Sequence, residues 1–195
     1  MKKLVIASNN QGKLREFAHL LSPLGIEVLT QSQLGISEAE EPHVTFVENA
    51  LAKARHVSRL SGLPALADDS GICVDALNGA PGVYSARYAG DNPKSDRANN
   101  DKLLREMQGV EERSAHYYCV LVLVRHADDP QPLIAEGEWH GEIGRDERGD
   151  GGFGYDPMFW LPELGKSAAQ LSHDEKAQVS HRANAMKVLL GKLKL

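Results

Sequence analysis

Between Lys3 and Gly71 the hydrophobic period changes repeatedly, and that alternation restricts the fold more than any other feature of the chain. Lys3 to Ala7 is a short apolar run that ends in the polar, turn-prone Ser8-Asn9-Asn10-Gln11-Gly12. Leu14, Phe17, Ala18 and Leu21 then recur at helical spacing as far as Pro23. Val28 and Leu29 suggest a second strand. Thr45 with Glu48 three residues on forms a capping box, opening a helix through Phe46, Ala50, Leu51, Ala54 and Val57 that Gly62 and Pro64 terminate. Pro64 to Ala67 reads as a short strand that delivers Asp68-Asp69-Ser70-Gly71 at a turn. Asp96 to Met107 reads as a helix ended by Gly109. His116 to His126 and Pro132 to Trp139, on either side of Asp128-Asp129-Pro130, form the clearest hairpin. Ser172 with Glu175 opens a single C-terminal helix whose Val179, Met186, Leu189, Leu190 and Leu193 face a core. Strands alternating with helices, together with a hairpin, define an α/β fold with a mixed sheet.

A chain of 195 residues with 42% hydrophobic and 25% charged residues can bury its own core, and 1–195 is expected to be a single domain. The formal net charge of −5 argues against a protein whose whole surface grips nucleic acid, which requires a basic face. Leu4 to Ala7, after Met1-Lys2-Lys3, is too short for a signal-peptide core or a membrane span. Cys73 and Cys119 have no partner at metal-ligand spacing and read as buried thiols of a reducing compartment, so the expected location is cytoplasmic, with no membrane partner.

Polar chemistry concentrates at a few places. Ser8-Asn9-Asn10-Gln11-Gly12-Lys13 leads into a helix, whose first N–H groups and positive dipole end favour an anion. The loop is not a P-loop, because Ala7 and Leu14 stand where that motif needs glycine and a hydroxyl. Taken alone, it reads equally as an ordinary polar turn with a solvated lysine. Asp68-Asp69-Ser70 follows a buried strand, where open α/β sheets bind ligands, and adjacent residues of an extended chain point to opposite faces. Glu38 to Glu41 forms a second acidic cluster, and a hard cation such as Mg2+ could be shared between the two clusters and substrate phosphates; from composition alone a solvated acidic loop is the simpler reading. Gly149-Asp150-Gly151-Gly152-Phe153-Gly154 fits G-x-G-x-x-G, but Arg145 to Arg148 precedes it and Tyr155-Asp156-Pro157 follows, so the strand and helix of a dinucleotide fingerprint are missing. It offers a flexible backbone with two aromatics, Phe153 and Tyr155, to stack on a base or to plug the core. Lys176 and Ser180-His181-Arg182 could direct cationic donors at a phosphate or a purine edge, although single helix lysines and arginines are usually solvated.

Together these segments resemble one family, the inosine/xanthosine triphosphate pyrophosphatases. The resemblance spans nearly the whole chain: Ala7-Ser8-Asn9-Asn10 to Lys13, Thr45-Phe46-Val47-Glu48-Asn49-Ala50 with Lys53, and Ala67-Asp68-Asp69-Ser70-Gly71. It continues through Gly82-Val83-Tyr84-Ser85-Ala86-Arg87-Tyr88, Gly152-Phe153-Gly154-Tyr155-Asp156-Pro157 and Ser180-His181-Arg182. It implies an elongated mixed sheet flanked by helices, two lobes with a central cleft, a homodimer, Mg2+ as cofactor, and cleavage of ITP, dITP and XTP to monophosphate and pyrophosphate. In that scheme Ser8, Asn9, Asn10, Gln11, Gly12, Lys13 and Lys53 hold the triphosphate, and Asp69 is general base and metal ligand. Glu40 or Glu41 supplies the other acidic metal contact. Ser70 and Lys176 touch substrate, and Phe153, Gly154, Tyr155 and Asp156 with His181 and Arg182 hold the base. Pro42-His43 stands where the family commonly carries a Thr-Gly turn, which leaves both glutamates open. The competing function is a non-catalytic purine nucleotide sensor built on the same residues.

Overall fold

A computed structural model describes residues 2–21 and 25–193. Pro23, expected to end the first helix, lies outside the described residues. The chain runs β1 (Lys3–Ile6), α1 (Gln11–Leu21), β2 (Glu27–Thr30), α2 (Phe46–Ser61), β3 (Ala65–Val74), α3 (Asp96–Glu106), β4 (Ser114–Val124), β5 (Leu133–Ile143), β6 (Phe159–Leu161), β7 (Lys166–Ser167), α4 (His173–Val179) and α5 (His181–Lys192). The strands form one seven-stranded sheet in the order β2-β1-β3-β4-β5-β6-β7. β1 is parallel to both β2 and β3, while β6 is antiparallel to β5 and β7, so the sheet is mixed as expected. No helix among the described residues is long and apolar enough to cross a membrane.

The chain divides into two compact units, and β3, β4 and β5 supply residues to both. The first unit comprises 1–69, 119–137 and 182–195. Its core joins Leu4 and Ile6 of β1 to Phe17 and Leu21 of α1 and to Ala185, Met186 and Leu189 of α5. Val5 points to the opposite face and is also fully buried, and α2 packs on β1 through its own contacts, so these parallel strands are covered on both faces. Asn10 starts α1: its Oδ1 accepts the N–H of Lys13 at 3.1 Å, as an N-cap does. Thr45 caps α2 by accepting the Glu48 N–H at 3.4 Å, and the Glu48 carboxylate returns to the Thr45 hydroxyl. Gly62, with φ of 68°, closes α2 by donating to the Ser58 carbonyl at 2.9 Å.

The second unit comprises 70–118 and 138–181. Its core gathers Ile72 and Val74 of β3, Ala115 and Tyr117 of β4, Trp139 and Ile143 of β5, Leu103 and Met107 from α3 and its C-cap, and Tyr155, Met158 and Phe159. The Gly82–Arg87 segment is a short 3-10 helix pinned to β3, because Ser85 Oγ accepts the Ile72 N–H at 3.0 Å and donates to the Gly82 carbonyl at 2.6 Å. Gly71 is packed under that contact. A Cβ there would stand 2.3 Å from the Gly82 carbonyl oxygen and 2.5 Å from Ser85 Oγ. Gly71→Ala is therefore expected to cost about 1–3 kcal/mol, the usual scale of overpacking against backbone, read as a lower urea midpoint at unchanged slope.

Two expectations are corrected. β3 does not stop at Ala67 but runs on through the acidic pair to Val74. Its pairing with β1 ends at Leu66, because β1 itself ends at Ile6, so Asp68 and Asp69 still lie just past the carboxyl end of the parallel pair. The C-terminal helix is two helices. Ser180, with φ −65° and ψ 155°, is extended and separates α4 from α5, leaving Val179 exposed.

Candidate active site

The first unit places most of the expected phosphate and metal residues together. Ser8 and Asn9 precede α1, where the Ser8 hydroxyl accepts the Asn10 N–H at 3.2 Å and the Gln11 amide reaches the Asn9 carbonyl at 3.4 Å. No acidic residue occupies the first turn of α1, so its positive end is not offset by a side chain of its own. Gly12 is buried, and Lys13 turns back to pair with Asp68 Oδ2 at 2.9 Å. On the loop before α2, Glu38 accepts from Asn9 Nδ2 at 3.0 Å.

Lys53 projects from α2 and bridges two carboxylates, Glu41 Oε1 at 2.7 Å and Asp69 Oδ1 at 2.9 Å. Asn49, one turn earlier on the same helix, donates to Asp69 Oδ2 at 3.4 Å and fixes the loop through His43. Glu41 is half-buried and Glu40 is exposed, so the two open candidates part: only Glu41 shares a cation with Asp69. Among the described residues no three His, Cys, Asp or Glu side chains are gathered to hold a metal ion by themselves. The oxygens of Glu41 and Asp69 nevertheless converge on one cation position, filled here by the Lys53 ammonium. A hard dication that takes its remaining ligands from water and substrate phosphates fits that donor set.

The two adjacent aspartates have opposite electrostatics. Burial works against ionisation of Asp68, but the charges of Lys13, Arg182 and Lys53 outweigh it and hold its carboxyl far below the usual carboxylate range. Burial also dominates at Asp69 and raises its carboxyl, with Lys53 and Lys13 opposing and Glu41 adding to the rise. Burial acts to lower the pKa of Lys53; Asp69, Asp68 and Glu41 outweigh it and raise it. Asp68 is thus a locked anion, and Asp69 is the carboxylate nearer to taking a proton.

Arg182 is placed differently from the expectation. It belongs to the first unit, is 1% exposed, and donates to Asp68 Oδ2 at 3.1 Å and to Glu16. Burial opposes its charge, but Asp68 and Glu16 overcome that and raise its pKa. Glu16 was not anticipated, although its position three residues after Lys13 puts both on one face of α1.

In the second unit Asp156 is the hub of the expected base-binding residues. Its Oδ2 accepts from Lys176 Nζ at 2.6 Å and from the Phe153 N–H at 2.8 Å. Lys176 is buried, not solvated, and its ammonium lies 4.7 Å from the Phe153 ring centroid. The loop is tied down instead of flexible: the Gly154 N–H donates to Asp96 at 2.8 Å, and Asn100 reaches the Gly154 carbonyl at 3.2 Å. A Cβ on Gly152, whose φ is 72°, would stand 2.1 Å from Asp156 Oδ2. Of the two aromatics, Phe153 is half-buried and can meet a ligand, whereas Tyr155 is 4% exposed and its hydroxyl donates to the Ser85 carbonyl at 2.8 Å. Tyr155 fills the core. His181 is buried and stacks on Tyr117, while Ser70 lies half-buried on β3 next to Asp69.

Lysine–aspartate pairs beyond the end of parallel strands, beside a helix N-terminus, mark an α/β protein equipped to handle phosphate groups. More particularly, the chain belongs to the Ham1 family, whose model matches residues 4–192. It is 68% identical to a dITP/XTP pyrophosphatase of Ralstonia nicotianae, over 100% of this chain and 98% of that protein. It is 65% identical to a protein of the same name from Nitrosomonas europaea, over 95% and 91%. The fold is similar to that of a HAM1 protein from Coxiella burnetii, with a TM-score of 0.91, 44% identity, and coverage of 99% of this chain and 100% of that one.

Proposed function

We propose that this protein hydrolyses the deaminated purine nucleoside triphosphates ITP, dITP and XTP to the monophosphate and pyrophosphate, with Mg2+ as cofactor, as a cytoplasmic homodimer. The observation that carries the chemistry is the set of ion pairs around Asp68 and Asp69. Three cations, Lys13, Lys53 and Arg182, face four carboxylates, Glu16, Glu41, Asp68 and Asp69. A set with one excess negative charge repels a polyanionic triphosphate unless a further cation joins it, which supports a metal requirement with Glu41 and Asp69 as the ligands. Bound there, Mg2+ supplies charge neutralisation at the phosphate oxygens. Asp69 takes the proton of the attacking water, and Lys13 and Lys53 balance the charge that develops on the departing pyrophosphate. Ser8 to Gly12 present hydroxyl, amide and backbone N–H donors to the phosphates.

The base is assigned to Phe153 through Asp156, with Lys176 and His181. Lys176 is a donor and Asp156 an acceptor held side by side, the complement of a 6-oxo group next to an N1–H. Adenine carries the reverse pattern. Two of the five N–H donors of Arg182 are committed to Glu16 and Asp68, whereas Lys176 and Asp156 offer a donor and an acceptor together, so the selectivity is assigned to Lys176 and Asp156. Guanine shares the 6-oxo and N1–H pattern, and its 2-amino group differs from the similarly sized 2-oxo group of xanthine in being a donor and not an acceptor, so its refusal must come from hydrogen-bond mismatch at position 2 and not from size. Lys176→Met is expected to narrow the ITP/ATP ratio of kcat/KM by about 10-fold or more, the scale of leaving one buried polar group unmatched. An unchanged ratio would remove Lys176 from base recognition.

The reaction itself is tested by product analysis with ITP or dITP and Mg2+. Pyrophosphate and a monophosphate are expected. Orthophosphate appearing first would overturn the pyrophosphatase assignment, and binding without turnover would favour a nucleotide sensor.

A further inference from the structure

Tyr117 lies on β4, between Ala115 and Cys119 on the inward side of the strand, and is 7% exposed. It touches two of the residues assigned to the purine. Its hydroxyl donates to Asp156 Oδ1 at 3.2 Å, while Asp156 Oδ2 is taken by Lys176 Nζ and the Phe153 N–H. Its ring lies 4.7 Å from the His181 ring at an interplanar angle of 11°. Trp139 at 6.2 Å and 22°, and the edge of Phe159 at 4.7 Å and 60°, hold the Tyr117 ring in turn.

We infer that Tyr117 is a positioning residue for purine selection, in which one side chain sets both the rotation of the Asp156 carboxylate and the plane of the His181 ring. This rests on the proposed purine role of Asp156 and His181. A carboxylate held only on its Oδ2 side can rotate about its terminal bond, a broad and soft torsion. A donor on Oδ1 removes that freedom and keeps the acceptor face of Asp156 fixed beside the Lys176 ammonium. Such a constraint matters most for discrimination, because an acceptor free to rotate no longer distinguishes an N1–H from a bare ring nitrogen. The ring contact works independently of the hydroxyl. It fixes His181 at the first residue of α5, immediately after the extended Ser180.

The two contacts can be separated by substitution. Tyr117→Phe retains the stack and the core volume and removes only the hydroxyl. With Mg2+ present and dITP and ATP as substrates, its KM for dITP is expected to rise about 5–10-fold, with kcat within about 2-fold of wild type. The dITP/ATP ratio of kcat/KM should narrow in proportion, the scale of one ordinary net hydrogen bond. In an Asp156→Asn background the same change should have no further effect on the ratio, because with the amide oxygen turned to the Lys176 and Phe153 donors the hydroxyl no longer orients a charged acceptor. Tyr117→Leu also removes the stack on His181 and is expected to reduce dITP efficiency further, with a lower thermal midpoint.

A thermal midpoint near wild type for Tyr117→Phe excludes misfolding as the cause of its phenotype. Equal losses for dITP and ATP, or an undiminished penalty in the Asp156→Asn background, would overturn the positioning role. So would wild-type kinetics in Tyr117→Phe from an enzyme that prefers dITP. A wild-type enzyme without preference for 6-oxopurines would instead overturn the purine assignment itself, and this proposal with it.

Discussion

Asp69→Asn is expected to lower kcat with ITP by about 10²-fold or more while leaving the fold intact. The substitution keeps the size of the side chain and an oxygen that can still accept from Lys53, now at 2.9 Å from Oδ1. It removes the negative charge that faces the metal position and the basic oxygen that would receive the proton from water. The neighbouring Asp68 cannot take over that task, because Lys13 and Arg182 hold its carboxyl as a locked anion. Asp69 instead carries a carboxyl raised by burial, with only part of that rise cancelled by its lysines. Single-turnover rates with Mg2+ at saturation, compared with urea midpoints for the two proteins, separate lost chemistry from lost fold. A near-normal kcat in Asp69→Asn would move the base to another group.

Much of this arrangement is legible in the sequence because it depends on local signals. The switch from an apolar run to helical spacing fixes β1 and α1, and Thr45 with Gly62 brackets α2 almost to the residue. What the sequence could not show depends on distant parts of the chain. Glu40 and Glu41 are indistinguishable by type, and only the position of Lys53 on α2 selects between them. Gly71 and Gly152 read as turn glycines, whereas each is a close approach, one to the Gly82 carbonyl and the other to Asp156. β6 and β7 are too short to give a period, so the far edge of the sheet went unread.

Other misses had a signal that was outweighed. Ser180 is a good helix-capping residue directly before His181, but the apolar spacing on either side suggested one continuous helix. The alternation of Ala115, Tyr117 and Cys119 shows that Tyr117 faces inward, yet no local pattern indicates that it meets Asp156 and His181 there. Tyr155 fell to the core and Phe153 did not. Two residues apart in an irregular loop, they had no strand or helix period by which to sort them.

Arg182→Met is expected to destabilise the protein by about 3–5 kcal/mol, the cost of removing one partner from a buried ion pair. Asp68 is 2% exposed and would keep its pair with Lys13 but lose the guanidinium, and Glu16 would lose its guanidinium contact. Methionine replaces the volume of the arginine stem but not the guanidinium that lies 5.7 Å from the Phe17 ring centroid, so the loss is one of charge compensation more than of volume. A native domain is held by only about 5–15 kcal/mol, so the variant should be folded at low temperature and melt well below wild type. Glu16→Gln should cost less, because the Glu16 side chain is 17% exposed and retains water. The kinetic consequence separates the two roles open to this arginine. If the guanidinium serves only its carboxylates, kcat/KM for ITP and for ATP fall together and their ratio stays constant. A ratio that narrows in Arg182→Met, measured where the protein is fully folded, would show that the guanidinium also meets the 6-oxo group. Base selection would then be shared with Lys176.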